Sequence, residues 1–279
     1  MKISLAKSAG FCFGVKRAID IAYRTLAGNK KVCMLGDIVH NEEVAARLEK
    51  AGIKKSVKLN KGKNKIFLIR AHGAGLQIIA KARRLGYQIV DATCPMVKEI
   101  HKIARSAERS GYTVIVIGDK KHDEVQGIIG QLKERAIVIE AAEKIAWGKL
   151  HKIKKACVVV QSTQNLEKVM RIVSLLETQI RDLKFFNTIC RPTRVKQEEM
   201  KNIPLENDLM IIIGSKTSAN TQRLYEIAKS LNAKSYWVQS KKDIKPAWLK
   251  GVKKVGITAG ASTPDDTTRE VIAYLKSIS

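Results

Sequence analysis

The sequence has few aromatic residues and no long apolar run. Phe, Trp and Tyr make up only 5% of its 279 residues, which argues against a surface that binds single-stranded nucleic acid by base stacking. No apolar run reaches the ~18–20 residues of a membrane-spanning helix, and none of signal-peptide length follows the charged N-terminus. We therefore expect a cytoplasmic protein without a membrane partner.

Cysteine is also scarce, and its five copies are widely spaced. An odd number at such spacing does not fit a disulfide framework. In a reducing cytoplasm these cysteines are core residues, metal ligands or nucleophiles. Cys33 and Cys157 lie within the apolar segments KVCML and ACVVV, so we predict that both are core residues.

Acidic residues are outnumbered by basic ones. The chain has 26 Asp and Glu against 52 Lys and Arg, a formal net charge of +26. This charge indicates an anionic partner, such as nucleic acid, an acidic protein or a phosphorylated substrate, or simply a lysine-rich solvated surface. The 45% hydrophobic content is enough for a sizeable core, in two or three small domains or one large one.

What the sequence does contain is a threefold internal repeat. Three cysteines each precede a helix-like segment: Cys12, Cys94 and Cys190. The first two read Cys-x-x-Val-Lys, whereas the third is longer and reads Cys-x-x-x-x-Val-Lys. In every copy a glycine that ends an apolar strand follows the cysteine after 24 residues: Gly36, Gly118 and Gly214. An offset shared by three copies indicates a common structural unit.

Polar side chains recur at matched places after the apolar segments. They follow the three glycines and the tips of a further strand in each copy: His40, Glu42, His72, His122, Glu124, Ser162, Thr163, Ser218, Asn220, Ser262 and Thr263. Short β-branched runs alternate with helix-length segments, which predicts βαβ units with a mainly parallel sheet in each copy. Ligands bind at the carboxyl ends of such strands. We expect an α/β fold of three similar domains, 1–94, 95–190 and 191–279, around a pseudo-threefold axis and one central site.

The cysteines and the polar tips suggest what that site does. Thiolates at helix N-termini suit an iron–sulfur cluster or zinc, and three ligands would leave one metal position open to a substrate oxygen. The histidines, serines and Asn220 suit a small anion. Glu124 is the best candidate acid, with a pKa raised by burial, and Thr163 would relay or orient its proton.

The motifs resemble one known family almost end to end. The matching blocks are AGFCFGVKRAI, GDIVHN, RAHG, DATCPMV, GDKKHDEV, QSTQN, TICRPT, GSKTSANTQRL and GITAGASTPD. Nine ordered blocks at suitable spacing identify the chain as similar to the 4-hydroxy-3-methylbut-2-enyl diphosphate reductases, the last enzymes of the non-mevalonate isoprenoid pathway.

The resemblance implies a trefoil of three α/β domains around a [4Fe-4S] cluster. Cys12, Cys94 and Cys190 would hold the cluster, Glu124 would deliver protons, and Thr163 would belong to its hydrogen-bond network. The allylic diphosphate would be bound by a larger set: His40, His72, His122, Ser218, Ala219, Asn220 and Ser262. Ala219 stands where the family usually has serine, so only its backbone N–H would serve. Electrons would come from an acidic donor, a ferredoxin or a flavodoxin, attracted by the basic chain.

Two other functions fit parts of this pattern. A hydro-lyase would use the same open iron without net redox change and would turn over without a reductant. A basic nucleic-acid-binding protein with a structural metal would fit the charge. The histidines at the strand tips and the absence of paired CxxC motifs disfavour this second alternative.

Overall fold

Short apolar strands alternate with amphipathic helices along the chain. The computed structural model describes residues 1–28 and 31–278. The strands are β1 (Lys2–Leu5), β2 (Lys31–Leu35), β3 (Lys54–Ser56), β4 (Lys65–Ile69), β5 (Gln88–Asp91), β6 (Thr113–Ile117), β7 (Ile137–Ile139), β8 (Lys155–Val160), β9 (Asp182–Phe185), β10 (Leu209–Ile213), β11 (Ser235–Val238) and β12 (Lys254–Ala259). The helices are α1 (Phe13–Leu26), α2 (Glu42–Lys50), α3 (Leu76–Arg84), α4 (Pro95–Arg109), α5 (Asp123–Ile129), α6 (Trp147–Leu150), α7 (Leu166–Glu177), α8 (Arg191–Asn202), α9 (Ala219–Leu231) and α10 (Asp265–Ser277).

The strands form three four-stranded sheets with one shared order. The orders are β3-β2-β4-β5, β7-β6-β8-β9 and β11-β10-β12-β1, and every pairing is parallel. One central strand of each sheet reads KIFLI, TVIVI or LMIII, the near-continuous apolar run of a strand that is covered on both faces. The predicted α/β fold with parallel sheets and a threefold repeat is confirmed.

The third sheet uses residues from both ends of the chain. Strand β1 pairs with β12, with Lys2 opposite Lys254 and Leu5 opposite Ile257. In each sheet, therefore, the strand that leads to a cysteine loop lies beside the last central strand: β5 before Cys94, β9 before Cys190 and β1 before Cys12. The domain boundaries 1–94, 95–190 and 191–279 stay a prediction, to which the structure adds that residues 2–5 belong to the sheet of the C-terminal region.

The described residues group into two compact units. The first comprises 1–16, 40–44 and 191–278, and contains the β11-β10-β12-β1 sheet. The second comprises 17–28, 31–39 and 45–190, and contains the other two sheets. Within the described residues, no helix has both the length and the apolar character that crossing a bilayer would need.

The cores follow the two-residue alternation of strands. In the β7-β6-β8-β9 sheet, Ile115 and Val158 face a cluster that includes α7, while Val114 and Val159 face the cluster beneath α4 and α5. Successive side chains point to opposite faces, so both faces of the strands are covered. Cys157 is fully buried in this second cluster, and burial raises its pKa to about 11.

Cys33 lies in the core of the neighbouring sheet. Its side chain is buried in β2 and belongs to the cluster that Phe67 and Tyr87 also form. Burial raises the pKa of its thiol. A buried thiol with a raised pKa is a poor ligand and a poor nucleophile. The prediction that Cys33 and Cys157 are core residues is confirmed.

Candidate active site

The three cysteine loops share one backbone arrangement. Each cysteine directly precedes the first residue of a helix, and its N–H donates to a carbonyl in the loop after the adjacent strand. The acceptor is always the second residue beyond that strand: Ala261 at 3.1 Å for Cys12, Ala71 at 2.9 Å for Cys94 and Ser162 at 3.0 Å for Cys190. The matched spacing in the sequence therefore reflects matched hydrogen bonding in the fold.

The thiols at these positions suit metal ligation. Cys12, Cys94 and Cys190 are half-buried and form no disulfide. Cys94 is the N-cap residue of α4, with Pro95 in the first turn. Helix N-termini stabilise negative charge, which favours a thiolate ligand. As a donor set, three half-buried thiols at helix starts fit an iron–sulfur cluster.

In the second unit, Glu124 supplies a deeply buried carboxyl group. It is the second residue of α5 and is 2% exposed. Its carboxylate accepts hydrogen bonds from the N–H and the hydroxyl of Ser162, at 2.6 and 2.8 Å. Burial raises the pKa of Glu124, and the two bonds from Ser162 partly oppose that rise. The predicted direction is confirmed, and a raised pKa suits a proton donor.

The hydrogen-bond partner of Glu124 is Ser162, which sequence reasoning did not assign. The hydroxyl of Thr163 instead accepts a hydrogen bond from the Gln161 side chain at 3.0 Å. Ser162 is the second residue after β8, and its carbonyl accepts a hydrogen bond from the N–H of Cys190. The repeated motif at the strand tips includes this polar residue, but only the fold shows that its N–H and its hydroxyl both donate hydrogen bonds to Glu124. The role of Thr163 in the network stays a prediction.

Burial distinguishes Glu124 from its repeat-related counterpart in the first unit. Glu42 also follows its glycine by six residues, but it is exposed. Its carboxylate accepts a hydrogen bond from the Ser215 hydroxyl at 2.9 Å. The same position in two copies therefore carries one solvated and one desolvated carboxyl group, and burial raises the pKa of the desolvated one, Glu124.

Two histidines lie together beside Glu124. His122 is the N-cap residue of α5, and its Nδ1 accepts the Glu124 N–H at 3.1 Å. Because Nδ1 accepts this bond, a neutral His122 carries its proton on Nε2 and can donate it to a ligand. The His72 and His122 rings meet edge to face, with centroids 5.5 Å apart. The structure thus brings these two predicted anion-binding residues together.

An ion pair holds the segments that carry the two histidines. Arg70 binds the carboxylate of Asp123 through both terminal nitrogens, at 2.7 and 2.8 Å. Arg70 lies two residues before His72, and Asp123 follows His122 directly. This fork-to-fork geometry fixes orientation as well as distance. It therefore positions the histidine pair, a role that spacing in the sequence did not indicate.

In the first unit, the predicted anion-binding residues cluster at the start of α9. Ser218 is the N-cap residue, and its hydroxyl accepts the Thr221 N–H at 3.3 Å. Ala219 and Asn220 follow in the first turn, and both are buried. Both polar atoms of the Asn220 amide are buried without a hydrogen-bond partner among the described residues. Because such groups are unfavourable unless satisfied, this amide is suited to a polar ligand.

Ser262 and His40 are also joined in the first unit. The Ser262 hydroxyl donates to the backbone carbonyl of His40 at 2.9 Å. Asn41 begins α2 by accepting the Val44 N–H at 3.0 Å. The two segments that the repeat placed at strand tips are therefore held next to each other by a direct hydrogen bond.

The α/β fold repeats one cysteine loop three times, and a buried acid lies beside a pair of histidines. This arrangement is typical of a metalloenzyme. The comparisons with known proteins agree with that class. The model of the LytB protein family matches residues 3–276. This chain belongs to the LytB protein family.

Three proteins similar to this chain are named as diphosphate reductases. The 4-hydroxy-3-methylbut-2-enyl diphosphate reductase of Geotalea uraniireducens is 39% identical over 278 residues, which cover 100% of this chain and 98% of that protein. A solved structure of (E)-4-hydroxy-3-methyl-but-2-enyl diphosphate reductase, the terminal enzyme of the non-mevalonate pathway, is 38% identical with a TM-score of 0.73 and covers 99% of this chain and 100% of that one. The Plasmodium falciparum reductase structure is 28% identical with a TM-score of 0.91, over 99% of this chain and 88% of that one. The family resemblance seen in the motifs is confirmed.

Proposed function

We propose that this chain reduces 4-hydroxy-3-methylbut-2-enyl diphosphate to isopentenyl diphosphate and dimethylallyl diphosphate. The reaction breaks the allylic C–O bond, consumes two electrons and two protons, and releases water. The observation that carries this proposal is the cysteine loop that recurs three times with the same backbone hydrogen bond. The family of the chain and the names of its relatives support the same substrate.

The cofactor that these loops fit is a [4Fe-4S] cluster, which Cys12, Cys94 and Cys190 would hold. When bound, the cluster would pass electrons to the substrate and would offer a Lewis-acidic iron. The half-buried state of the three thiols is consistent with ligation.

Polar side chains and backbone N–H groups would hold the diphosphate. These are the N-terminal turn of α9 with Ser218, Ala219 and Asn220, together with Ser262, His40, His72 and His122. The buried amide of Asn220 lacks a hydrogen-bond partner among the described residues, so a phosphate oxygen would satisfy its N–H. Backbone N–H groups at a helix start add to an anion site.

Glu124 would deliver protons to the substrate. Its desolvated carboxyl stays protonated to higher pH than an exposed one, because burial raises its pKa. After transfer, the two hydrogen bonds from Ser162 would stabilise the carboxylate. Thr163, whose hydroxyl accepts a hydrogen bond from the Gln161 side chain, would belong to the same hydrogen-bond network as Glu124.

The electron donor would be an acidic protein of the ferredoxin or flavodoxin kind. The net charge of +26 favours such an encounter at low ionic strength. We expect the rate of reduction by an acidic donor to fall as salt is added. A rate that does not change with salt would count against this partner.

The test of the function is turnover by anaerobically purified protein. With the allylic diphosphate and a chemical reductant, we expect both C5 diphosphate products and water, and no reaction when the reductant is omitted. Glu124→Gln is the matched control variant, and it tests whether the Glu124 carboxyl group supplies a proton to the substrate. Turnover without reductant would instead indicate a hydro-lyase.

A further inference from the structure

The third copy of the cysteine repeat is longer by two residues, and this difference buries one lysine. Helices α1, α4 and α8 each begin at the residue after the cysteine. The lysine of the repeat is the fourth helical residue in the first two copies, Lys16 and Lys98, and the sixth in the third, Lys196. Two added residues rotate a helical side chain by about 200°. Accordingly, Lys16 and Lys98 are exposed, whereas Lys196 is 2% exposed.

Lys196 bonds to the loop that leads to Cys12. Its Nζ donates to the carbonyls of Ser8, of Gly10 at 3.1 Å and of Ala259 at 3.0 Å. An ammonium has three N–H groups, and three carbonyls receive them. Because burying an ammonium is unfavourable unless its N–H groups are bonded, this geometry ties the lysine and the loop to each other.

A second residue of α8 holds the same loop. Glu199, one turn after Lys196, accepts the N–H of Ser8 at 3.1 Å and also the Ser8 hydroxyl. Helix α8 therefore binds Ser8 through its carbonyl, its N–H and its side chain. All of these groups belong to the first unit.

The loop has little freedom between this contact and the cysteine. Gly10 has φ +92°, a conformation that favours glycine, and a Cβ there would lie 2.6 Å from a carboxylate oxygen of Asp265. The N–H of Gly10 donates to Ala259 at 3.3 Å, and two residues later the N–H of Cys12 donates to Ala261 at 3.1 Å. Restraint at residues 8–10 is thus transmitted along the backbone to Cys12.

We propose that Lys196 is a positioning residue that holds residues 8–10, so that Cys12 is already placed as a ligand before metal binds. A related contact exists in the second unit, where Arg17 donates to the carbonyl of Thr93, the residue before Cys94, at 3.1 Å. Rigid presentation of a ligand lowers the ordering cost of assembling a metal site. The inference rests on the proposed ligand role of Cys12, but its test reads the loop and not the reaction.

The experiment measures how accessible each cysteine is in the full chain without its cluster. Alkylation of Cys12, Cys94 and Cys190 under anaerobic conditions is followed by mass spectrometry in wild type and in Lys196→Met. We expect Cys12 to react about tenfold faster in the variant, relative to the other two cysteines, since the hydrogen bonds that the charged ammonium donates are lost. Hydrogen exchange at the Gly10 and Cys12 amides should rise with it. Lys16→Met, at the exposed counterpart, should change neither quantity.

Two results would overturn the proposal. One is an unchanged Cys12 rate in Lys196→Met with unchanged amide protection. The other is an equal rise at all three cysteines, which would make Lys196 a residue of general stability. If Lys196→Met does not fold, Glu199→Ala removes the acceptor of both hydrogen bonds that Ser8 donates, at a residue outside the buried core. A selective rise at Cys12 then supports the proposal, and an unchanged ratio overturns it. Loss of turnover alone would bear on the proposed function and not on this inference.

Discussion

His101 should make the protein less stable as the pH falls. This residue lies on the buried face of α4 and is 5% exposed. It packs against the backbone at Gly73 and Gly127, and its Nε2 has no hydrogen-bond partner among the described residues. Burial, and then the nearby charge of Arg105, lower its pKa from 6.5 to about 4. The folded protein therefore keeps His101 neutral over a range in which the unfolded chain would protonate it.

The magnitude follows from that difference. Well above pH 6.5 neither state binds the proton, so His101 does not affect stability there. As the pH falls below 6.5 the unfolded chain takes up the proton first, and stability is lost until the folded protein also protonates near pH 4. A difference of about 2.5 pKa units corresponds to about 3 kcal/mol in full, of which about 2 kcal/mol is lost between pH 7.5 and pH 5.

The assay compares the free energy of unfolding in urea at pH 7.5 and pH 5 for wild type and His101→Gln. We expect wild type to lose about 2 kcal/mol more than the variant, because glutamine does not titrate. His151→Gln is the matched control, since His151 is exposed and should leave the pH dependence of wild type unchanged. Equal pH dependence in wild type and His101→Gln would refute the reasoning.

Three further predictions concern the acid, its partner and a crowded glycine. Glu124→Gln should keep the spectrum of the bound cluster and lose most turnover, because the buried proton donor is gone; full turnover would end its role. Ser162→Ala removes a hydrogen bond that lowers the pKa of Glu124, so the alkaline limb of the pH–rate profile should move to higher pH; an unmoved limb would contradict the assignment. Gly260→Ala would place a Cβ 2.1 Å from the Thr221 hydroxyl and should destabilise by about 1–3 kcal/mol in urea unfolding. Gly148→Ala, with open space around it, should cost little, and an equal loss in both would contradict the packing argument.

The sequence alone predicts the elements that repeat and the residues whose burial follows from their strands. The apolar segments around Cys33 and Cys157 are inner strands, so both residues had to be buried. Local periodicity carries this information, because a strand covered on both faces is apolar throughout. The raised pKa of Glu124 could be predicted as well, since a buried carboxyl group is desolvated.

What the sequence does not predict depends on long-range pairing or on rotation around a helix. Strand β1 has only four residues, and its partner β12 lies near the other end of the chain. The bond from Ser162 to Glu124 joins residues 38 positions apart, and no local pattern marks it. The longer third cysteine motif was visible, but the burial of Lys196 follows only once α8 is known to begin at Arg191.

The central claim is that the three repeated cysteines hold one iron–sulfur cluster. The most direct measurement is iron and sulfide per chain after anaerobic reconstitution, in wild type and in single serine variants of Cys12, Cys94 and Cys190, with Cys157→Ala as the buried control. We predict about four irons and four sulfides for wild type and for the control, as a four-iron cluster requires, and loss of the cluster in each of the three serine variants. Full cluster content in any of these three variants, or zinc in place of iron in wild type, would contradict the account.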